Sequence, residues 1–292
     1  MRTYSMVIAG AVVVLISGLT SSASAEHSSA GAPTCQGETA TIVVEHGDGS
    51  TSGTDERDVI VVRPRWQGPE AKVHAGKGDD VICGFGDLHG GPGEDSFANS
   101  SDSCVHGGLG DDRSFGGRGQ NCMDGGRGAD VMHGDAGGDV FSGGLGDDVF
   151  YGGPGRDQIL ERGPRDIRID LARGVANGRG HDRLYSVRDA GVGPGRNVVV
   201  GTAGANLISA LGDGDNRFYA RGGRDRVFGG SATDRIFTGP GRDFVKSGGG
   251  ADVVSAGRGD DLLNGGRGAD RGDGGPGDDR CVRIEQPRHC EA

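Results

Sequence analysis

Aspartate recurs at every ninth position along most of this chain, each time within a glycine-rich stretch. The sequence reads in unbroken nines over residues 107–160 and 211–282, with units such as GGRGADVMH and GGLGDDVFY. Further units fit the same frame at residues 75–83, 90–98 and 201–209, and an eroded unit occupies residues 98–106. Position 6 of the nine is Asp in fourteen of eighteen aligned units: Asp80, Asp95, Asp112, Asp130, Asp139, Asp148, Asp157, Asp225, Asp234, Asp243, Asp252, Asp261, Asp270 and Asp279.

A regular row of carboxylates requires a compensating positive charge. Carboxylates about 5 Å apart repel by roughly 1 kcal/mol at the dielectric constant of water and by several kcal/mol at a lower one. Glycine turns also leave backbone carbonyl groups beside each Asp, so every ligand on offer is an oxygen. Hard divalent cations prefer such ligands, and Ca²⁺ tolerates irregular sets of six to eight oxygens whereas Mg²⁺ demands an octahedron. We therefore expect these residues to bind several Ca²⁺ ions.

The composition limits the fold that can present these aspartates. Glycine supplies 62 of 292 residues, and apolar residues only 33%. Glycine disfavours helix by about 1 kcal/mol relative to Ala, and the absence of glycine at every third position excludes collagen. A disordered glycine-rich chain is the remaining alternative. It explains neither the fixed Asp nor the apolar eighth position found in fifteen of the eighteen units, so a repeat fold is favoured.

The nonapeptide predicts a turn followed by a very short strand. Its first six residues are glycine-rich, as tight turns require, and in its last three the middle side chain points inward. Phe141, Phe150 and Ile236 are examples of this eighth residue. Two units form an 18-residue coil, and stacked coils form two parallel sheets with the eighth residues between them. The predicted fold is therefore all-β, a parallel β-roll (β-solenoid) in which the aspartates form two ladders.

The units GGLGDDVFY and AGKGDDVIC resemble the hemolysin-type calcium-binding repeat, the RTX nonapeptide GGxGxDxUx. The resemblance extends over about residues 53–282. It implies a β-roll with Ca²⁺ held between successive turns by the sixth-position Asp and the turn carbonyl groups. The chain departs from the family in its N-terminal, cleavable-looking signal, since RTX proteins usually carry an uncleaved C-terminal one. Arg also precedes several of the expected ligands, as at Arg156, where it would compete with the ion.

The chain divides by composition. Arg2, the following apolar stretch and Ala23-Ser24-Ala25 predict a cleaved signal peptide and hence a secreted protein; the run is short for the alternative, a membrane anchor. The middle segment is read as irregular strands that continue the roll, with a flexible linker as the alternative. The expected parts are a signal peptide (1–25), an N-terminal segment (26–52), roll block 1 (53–160), the irregular β segment (161–200), roll block 2 (201–282) and a cysteine-bearing cap (283–292).

Six cysteines suit an oxidising compartment and allow fifteen disulfide connectivities. Cys104 and Cys122 are one 18-residue coil apart, which makes them neighbours on adjacent strands, about 4.8 Å apart and within disulfide range. Cys281 and Cys290 would then close the C-terminal cap, and the remaining pair, Cys35 and Cys83, would attach the N-terminal segment. Zinc binding is the competing use of these cysteines, but no CxxC spacing is present.

We expect a calcium-binding structural or interaction protein rather than an enzyme. The formal net charge of −11 disfavours nucleic acid and anionic membranes as partners, and no membrane insertion is expected. HExxH, GxSxG and GxxxxGK[ST] are absent. Two alternatives stay open: an adhesin or matrix component with a cell-surface or matrix partner, or an accessory module of a secreted hydrolase.

Overall fold

The computed structural model describes residues 6–8, 11–13, 33–45, 49–63, 71–99, 101–163 and 166–291, and these contain strands and turns but no helix. Accordingly, no helix in this part of the chain is long and apolar enough to cross a membrane. Strands β1 (Met6–Ile8) and β2 (Ala11–Val13) pair antiparallel. The rest of the predicted signal peptide, including its cleavage site, lies outside the described residues.

Two long sheets, here called sheet 1 and sheet 2, make up the body of the protein. From β5 onward, successive strands of the chain alternate between the two sheets, except for β19, β20 and β21, which all lie in sheet 2. Sheet 1 has thirteen strands: β6 (Ser50–Ser52), β8 (Lys72–His74), β10 (Asp87–Pro92), β12 (Cys104–Leu109), β14 (Cys122–Arg127), β16 (Val140–Leu145), β18 (Gln158–Glu161), β22 (Asp189–Val192), β24 (Leu207–Ala210), β26 (Arg226–Gly230), β28 (Phe244–Gly249), β30 (Leu262–Arg267) and β32 (Arg280–Val282).

Sheet 2 has sixteen strands, and all of its pairings are parallel except the two that β20 makes. They are β5 (Ile42–Glu45), β7 (Val59–Arg63), β9 (Val81–Gly84), β11 (Ser96–Asn99), β13 (Arg113–Phe115), β15 (Val131–His133), β17 (Val149–Tyr151), β19 (Arg168–Asp170), β20 (Val175–Asn177), β21 (His181–Tyr185), β23 (Val198–Val200), β25 (Arg217–Tyr219), β27 (Arg235–Phe237), β29 (Val253–Ser255), β31 (Arg271–Asp273) and β33 (Gln286–Arg288).

The register confirms the predicted β-roll. Val131 pairs with Val149 in sheet 2, and Cys122 pairs with Val140 in sheet 1, so each residue lies over the one eighteen positions later. The eighth residue of each unit faces the interior. Phe141 of sheet 1 and Phe150 of sheet 2 are fully buried, with ring centroids 5.6 Å apart. Their contact across the interior joins the two sheets and places the Asp-bearing turns along both edges.

Coil length varies outside the regular blocks. Val81 pairs with Ser96, only fifteen residues later, because the half-coil between them is short. At the other extreme, Val149 pairs with Arg183, thirty-four residues later. The intervening chain inserts β19 and β20, and β20 runs antiparallel to both of its neighbours, β19 and β21. The segment 161–200 therefore contributes strands to both sheets, in a local order that a strict nonapeptide frame does not contain.

Both ends of the roll carry additional strands. From the N-terminal segment, β5 pairs with β7 and β6 pairs with β8, which lengthens both sheets. Strands β3 (Thr34–Cys35) and β4 (Glu38–Thr39) form a separate hairpin. At the C-terminal end, β33 pairs with β31.

The six cysteines form three disulfides, and the pairs are those argued from the sequence. Cys104 and Cys122 are in register on β12 and β14, with Cα atoms 4.6 Å apart. Cys35–Cys83 attaches the β3–β4 hairpin to β9, and Cys281–Cys290 closes the C-terminal end. Three disulfides are typical of a protein that folds in an oxidising compartment.

Candidate metal centre

The glycine turns bring backbone oxygens to the edges of the roll. Gly144 and Gly146, at positions 2 and 4 of their unit, have φ values of +101° and +141°, a region that side chains rarely tolerate. The carbonyl oxygens of Gly126 and Gly128, one coil earlier, point into the space that a Cβ atom at these positions would fill. Glycine is therefore required for two reasons, the positive φ and the close approach of a carbonyl group.

The sixth-position side chains form two hydrogen-bonded rows, each interrupted once near the irregular segment. The backbone N–H of Asp112 donates to Asp130 Oδ1 at 2.8 Å, and the N–H of Asp130 donates to Asp148 Oδ1 at 2.9 Å. Ladder A, on the sheet 2 side, contains Asp58, Asp80, Asp95, Asp112, Asp130, Asp148 and Asp182, then Asn197, Asn216, Asp234, Asp252 and Asp270. Ladder B, on the sheet 1 side, contains Asn121, Asp139 and Asp157, then Asn206, Asp225, Asp243, Asp261 and Asp279.

These ladders contain all fourteen aspartates that the sequence singles out as candidate ligands. Each of the fourteen is at most 3% exposed. In each, Oδ2 is buried and has no hydrogen-bond partner among the described residues. The Oδ2 atoms of Asp130 and Asp148 lie against Gly125 and Gly143, the first glycines of their own units, where a Cβ atom would collide with them. A buried carboxylate oxygen without a partner is costly, and its regular repetition indicates an oxygen site for a cation.

Burial raises the pKa of ladder aspartates, neighbouring carboxylates add to the effect in most of them, and the backbone N–H bond opposes it. The pKa of Asp112 rises to about 8. It rises to about 7 in Asp80, Asp130, Asp225 and Asp234, and to about 6 in Asp95, Asp148 and Asp261. Burial also raises the pKa of Asp139, Asp157, Asp243 and Asp252. Without a cation, the ladders therefore retain protons well above the usual range for Asp.

The arginine expected to compete for a ladder carboxylate interacts elsewhere. Arg156 precedes Asp157, but its Nε lies 2.5 Å from Oδ2 of Asp189, which is outside the ladders. Asp189 is buried, and its Oδ1 also accepts the N–H of Leu207. Arg156 thus forms an ion pair beside ladder B and leaves Asp157 Oδ2 without a partner.

Two ladder aspartates, Asp58 and Asp182, are absent from the fourteen candidate ligands predicted from the sequence. Asp182 is buried, and its Oδ1 accepts the N–H of Asp148 at 3.2 Å. Burial raises its pKa to about 7. The signal was present, because NGRGHDRLY (residues 177–185) follows the nonapeptide frame with Asp182 sixth and Leu184 eighth. The insertion of β19 and β20 separates this unit from the others, which hid it.

Asp58 illustrates a ladder position whose carboxylate is satisfied by protein groups. Its Oδ2 accepts the N–H of Thr54 at 2.7 Å and the Thr54 hydroxyl at 3.0 Å. Asn206 is similar, with Thr202 in the corresponding place. Thr54 and Thr202 occupy the second position of their units, where most units have glycine. The fourteen unpartnered carboxylates therefore differ from these two in the second residue of the turn.

Comparison with known families identifies the repeat. The RTX calcium-binding nonapeptide repeat matches residues 106–141, 124–159, 192–213, 211–245 and 247–281. The chain belongs to this family. The match at 192–213 includes the RTX unit around Asn197, which lies in the segment 161–200. A search of curated proteins found no match for this chain.

The donor set of these RTX turns fits calcium. At the fourteen aspartate positions, the turns offer oxygen atoms, namely the unpartnered carboxylate Oδ2 and the backbone carbonyl groups of the glycines. Hard cations take such oxygens, whereas zinc and copper sites use imidazole or thiolate. Ca²⁺, which accepts many oxygens in irregular geometry, suits them better than Mg²⁺.

Proposed function

We propose that this protein is a secreted calcium-binding RTX β-roll with a structural or interaction role, which folds as it binds calcium. The observation that carries the proposal is the set of fourteen buried, unpartnered Oδ2 atoms in ladders A and B. In this proposal those fourteen aspartates are the calcium ligands, together with carbonyl groups of the glycine turns.

The electrostatics of the ladders support the coupling of folding to binding. Folding brings like charges to neighbouring positions and removes them from water, which raises the pKa of Asp112 and Asp130. The unfolded chain keeps its carboxylates solvated and apart. Bound Ca²⁺ would supply the positive charge that offsets this cost, so binding energy becomes folding energy. We expect dissociation constants of about 0.1–1 mM, as in extracellular calcium modules.

The test is a calcium titration by calorimetry of the full chain and of two triple variants. The first variant replaces buried ladder residues with asparagine, which keeps the Oδ1 acceptor but removes the charge: Asp112→Asn, Asp148→Asn and Asp261→Asn. The matched control replaces the exposed aspartates that immediately precede them: Asp111→Asn, Asp147→Asn and Asp260→Asn. We expect fewer calcium ions bound by the ladder variant only. Equal stoichiometry in both variants would contradict the ligand assignment.

Secretion is part of the proposal. It is supported by the predicted signal peptide over residues 1–25 and by the three disulfides. Determination of the N-terminal residue of the exported protein tests it, with Glu26 expected. A non-catalytic role is supported by the fold, since the repeats account for the described sheets and the chain lacks the catalytic motifs sought above.

One surface feature favours a partner, as in the adhesin or matrix alternative. Phe115, His133, Tyr151 and Tyr185 stack in a column on the outer face of sheet 2, with centroid separations of 4.9, 4.4 and 4.9 Å. Tyr151 and Tyr185 are 38% and 48% exposed. Exposed aromatic residues are enriched in protein interfaces. The test compares binding to cells or matrix in calcium by the wild type and by the double variant Tyr151→Ala/Tyr185→Ala. Binding by the wild type that is lost in the double variant would support this candidate, and equal binding by both would remove it.

A further inference from the structure

Three histidines that are far apart in the sequence come together on the outer face of sheet 1. His74, His89 and His106 are in register on β8, β10 and β12. Their rings stack with centroid separations of 4.6 and 4.5 Å. Asp87 lies two residues before His89, on the same face of the strand, beside Lys72 and Cys104 of the neighbouring strands. This face points away from the core and is separate from both Asp ladders.

The side chains of Asp87, His89 and His106 direct potential ligand atoms to one point. Asp87 Oδ1 lies 2.8 Å from His89 Nε2 and 3.5 Å from His106 Nε2. One oxygen and two imidazole nitrogens, one from each residue, all lie within 4.8 Å of one another. Tetrahedral zinc, with bonds of about 2.0–2.1 Å, holds its ligand atoms about 3.3 Å apart. The three atoms are thus close to the separations that a single ion imposes.

Two of these atoms lack the hydrogen bond that their proximity would suggest. Asp87 Oδ1 and His89 Nε2 are both buried, and neither has a hydrogen-bond partner among the described residues. A His–Asp hydrogen bond is the simplest alternative use of such a pair, and the orientation of the groups does not provide one. The imidazole nitrogen and the carboxylate oxygen are both buried and face each other without a hydrogen bond. This arrangement is consistent with a metal ion that binds both atoms.

Lys72 fixes the orientation of the carboxylate. Its Nζ lies 2.9 Å from Asp87 Oδ2, the oxygen that does not face the histidines. With Oδ2 held by the ammonium group, Oδ1 is turned towards the two rings. Outer groups that orient ligands in this way are a regular part of metal sites. The side chains of His89 and His106 are 29% and 43% exposed, so the cluster is accessible from solvent.

We propose that Asp87, His89 and His106 form a binding site for a divalent transition-metal ion, with Zn²⁺ as the ion that fits best. Imidazole and carboxylate ligands suit zinc, whereas Ca²⁺ takes oxygen ligands. Three protein ligands leave a fourth tetrahedral position open to water. The site joins two adjacent strands of sheet 1, next to the Cys104–Cys122 disulfide, and binds zinc independently of the calcium ladders.

The test is a zinc titration of the untagged full chain with calcium held well above about 1 mM, so that calcium occupies its own sites. The variants Asp87→Asn, His89→Ala and His106→Ala remove one proposed ligand each. His133→Ala is the matched control, because His133 also stacks between two rings but lies on sheet 2 outside the cluster. We expect one zinc ion per chain in the wild type and in His133→Ala, and at least tenfold weaker binding in each ligand variant.

Cobalt provides a second readout that a merely structural role of these residues would not produce. Co²⁺ bound to the wild type should give the visible absorption of a tetrahedral site, and addition of one equivalent of zinc should abolish it. Circular dichroism in calcium shows whether each variant remains folded. Wild-type zinc affinity in His89→Ala and His106→Ala, or the absence of one-to-one binding in the wild type, would overturn the proposal. A loss in His74→Ala that matches the loss in His89→Ala, with none in Asp87→Asn, would show that the ligands are wrongly assigned.

Discussion

The adjacent residues Asp111 and Asp112 offer a matched comparison of an exposed and a buried carboxylate. Oδ1 of Asp111 accepts the N–H of Ala129 at 2.7 Å, and Oδ1 of Asp112 accepts the N–H of Asp95 at 2.8 Å. Asp111 is exposed, whereas Asp112 is 3% exposed and has an unpartnered Oδ2. Asparagine at either position keeps the accepting oxygen and removes the charge. Any difference between the two variants therefore reports on the buried charge.

The expected effect of Asp112→Asn changes sign with calcium. Adjacent strands are about as far apart as Cys104 and Cys122, whose Cα atoms are separated by 4.6 Å. At 4 Å, each like-charged neighbour costs about 1 kcal/mol in water and about 4 kcal/mol at an effective dielectric constant of 20. Without calcium at pH 8, removal of the charge should therefore leave the β-sheet signal equal to that of the wild type or larger. In calcium, the variant loses a ligand and up to about 3 kcal/mol at a hundredfold excess over the dissociation constant.

Thermal unfolding followed by circular dichroism measures both effects. In saturating calcium, a loss of this size should lower the Tm of Asp112→Asn by roughly 6–12 °C, and Asp111→Asn should unfold close to the wild-type temperature. Equal decreases in the two variants would refute the reasoning, since the buried charge would then have no special role. So would a decrease in Asp112→Asn of the same size with and without calcium, which would indicate a lost hydrogen bond rather than a lost ligand.

Three further predictions follow from the same geometry. Burial raises the pKa of Asp112 to about 8 and that of Asp234 to about 7 in the folded state, against an ordinary value of 3.8. The calcium-free folded state therefore binds more protons than the unfolded chain between about pH 4 and 8, so its stability falls as the pH rises through this range. Without calcium, circular dichroism should show more β-sheet signal at pH 5 than at pH 8, and the reverse order would contradict the shifts. Replacing Cys35 and Cys83 by serine should lower the free energy of unfolding, measured in urea, by about 4 kcal/mol, and replacing Cys281 and Cys290 should lower it by about 2.5 kcal/mol. The difference arises because the two bonds close loops of 48 and 9 residues. A larger loss for the C-terminal pair would be inconsistent with stabilisation by loop closure. Phe141→Ala should lower the free energy of unfolding by about 3–5 kcal/mol. Phe115 is 39% exposed, so Phe115→Ala should lower it by less than about 1 kcal/mol. Comparable losses in the two variants would argue against the placement of Phe141 on the inner face.

Periodic features were predictable from the sequence because the fold repeats them. The spacing of nine, with an apolar eighth residue, predicted the coil, the inward direction of Phe141 and the alignment of Cys104 with Cys122. Each depends only on the position of a residue within its own unit and on the stacking of units eighteen residues apart. The same reasoning placed Asp112, Asp130 and Asp148 in one ladder, as the hydrogen bonds show.

Features that depend on irregular coils were not predictable in this way. His89 follows His74 by fifteen residues and precedes His106 by seventeen, so no fixed period relates the three. Their convergence requires the short half-coils, which only the register reveals. Asp182 was hidden by the insertion that places it over Asp148 across thirty-four residues. The pairing of Thr54 with Asp58 depends on side-chain geometry within a single turn.

The central claim is that calcium binds the aspartate ladders and that folding depends on this binding. The most direct measurement compares far-ultraviolet circular dichroism and thermal unfolding of the full chain after removal of calcium and after its stepwise return. We expect the parallel β-sheet signal and the cooperative transition to appear together with calcium over about 0.1–1 mM, and magnesium at the same concentrations to have little effect. A calcium-free sample at pH 8 that keeps the full β-sheet signal and an unchanged melting temperature would contradict the account.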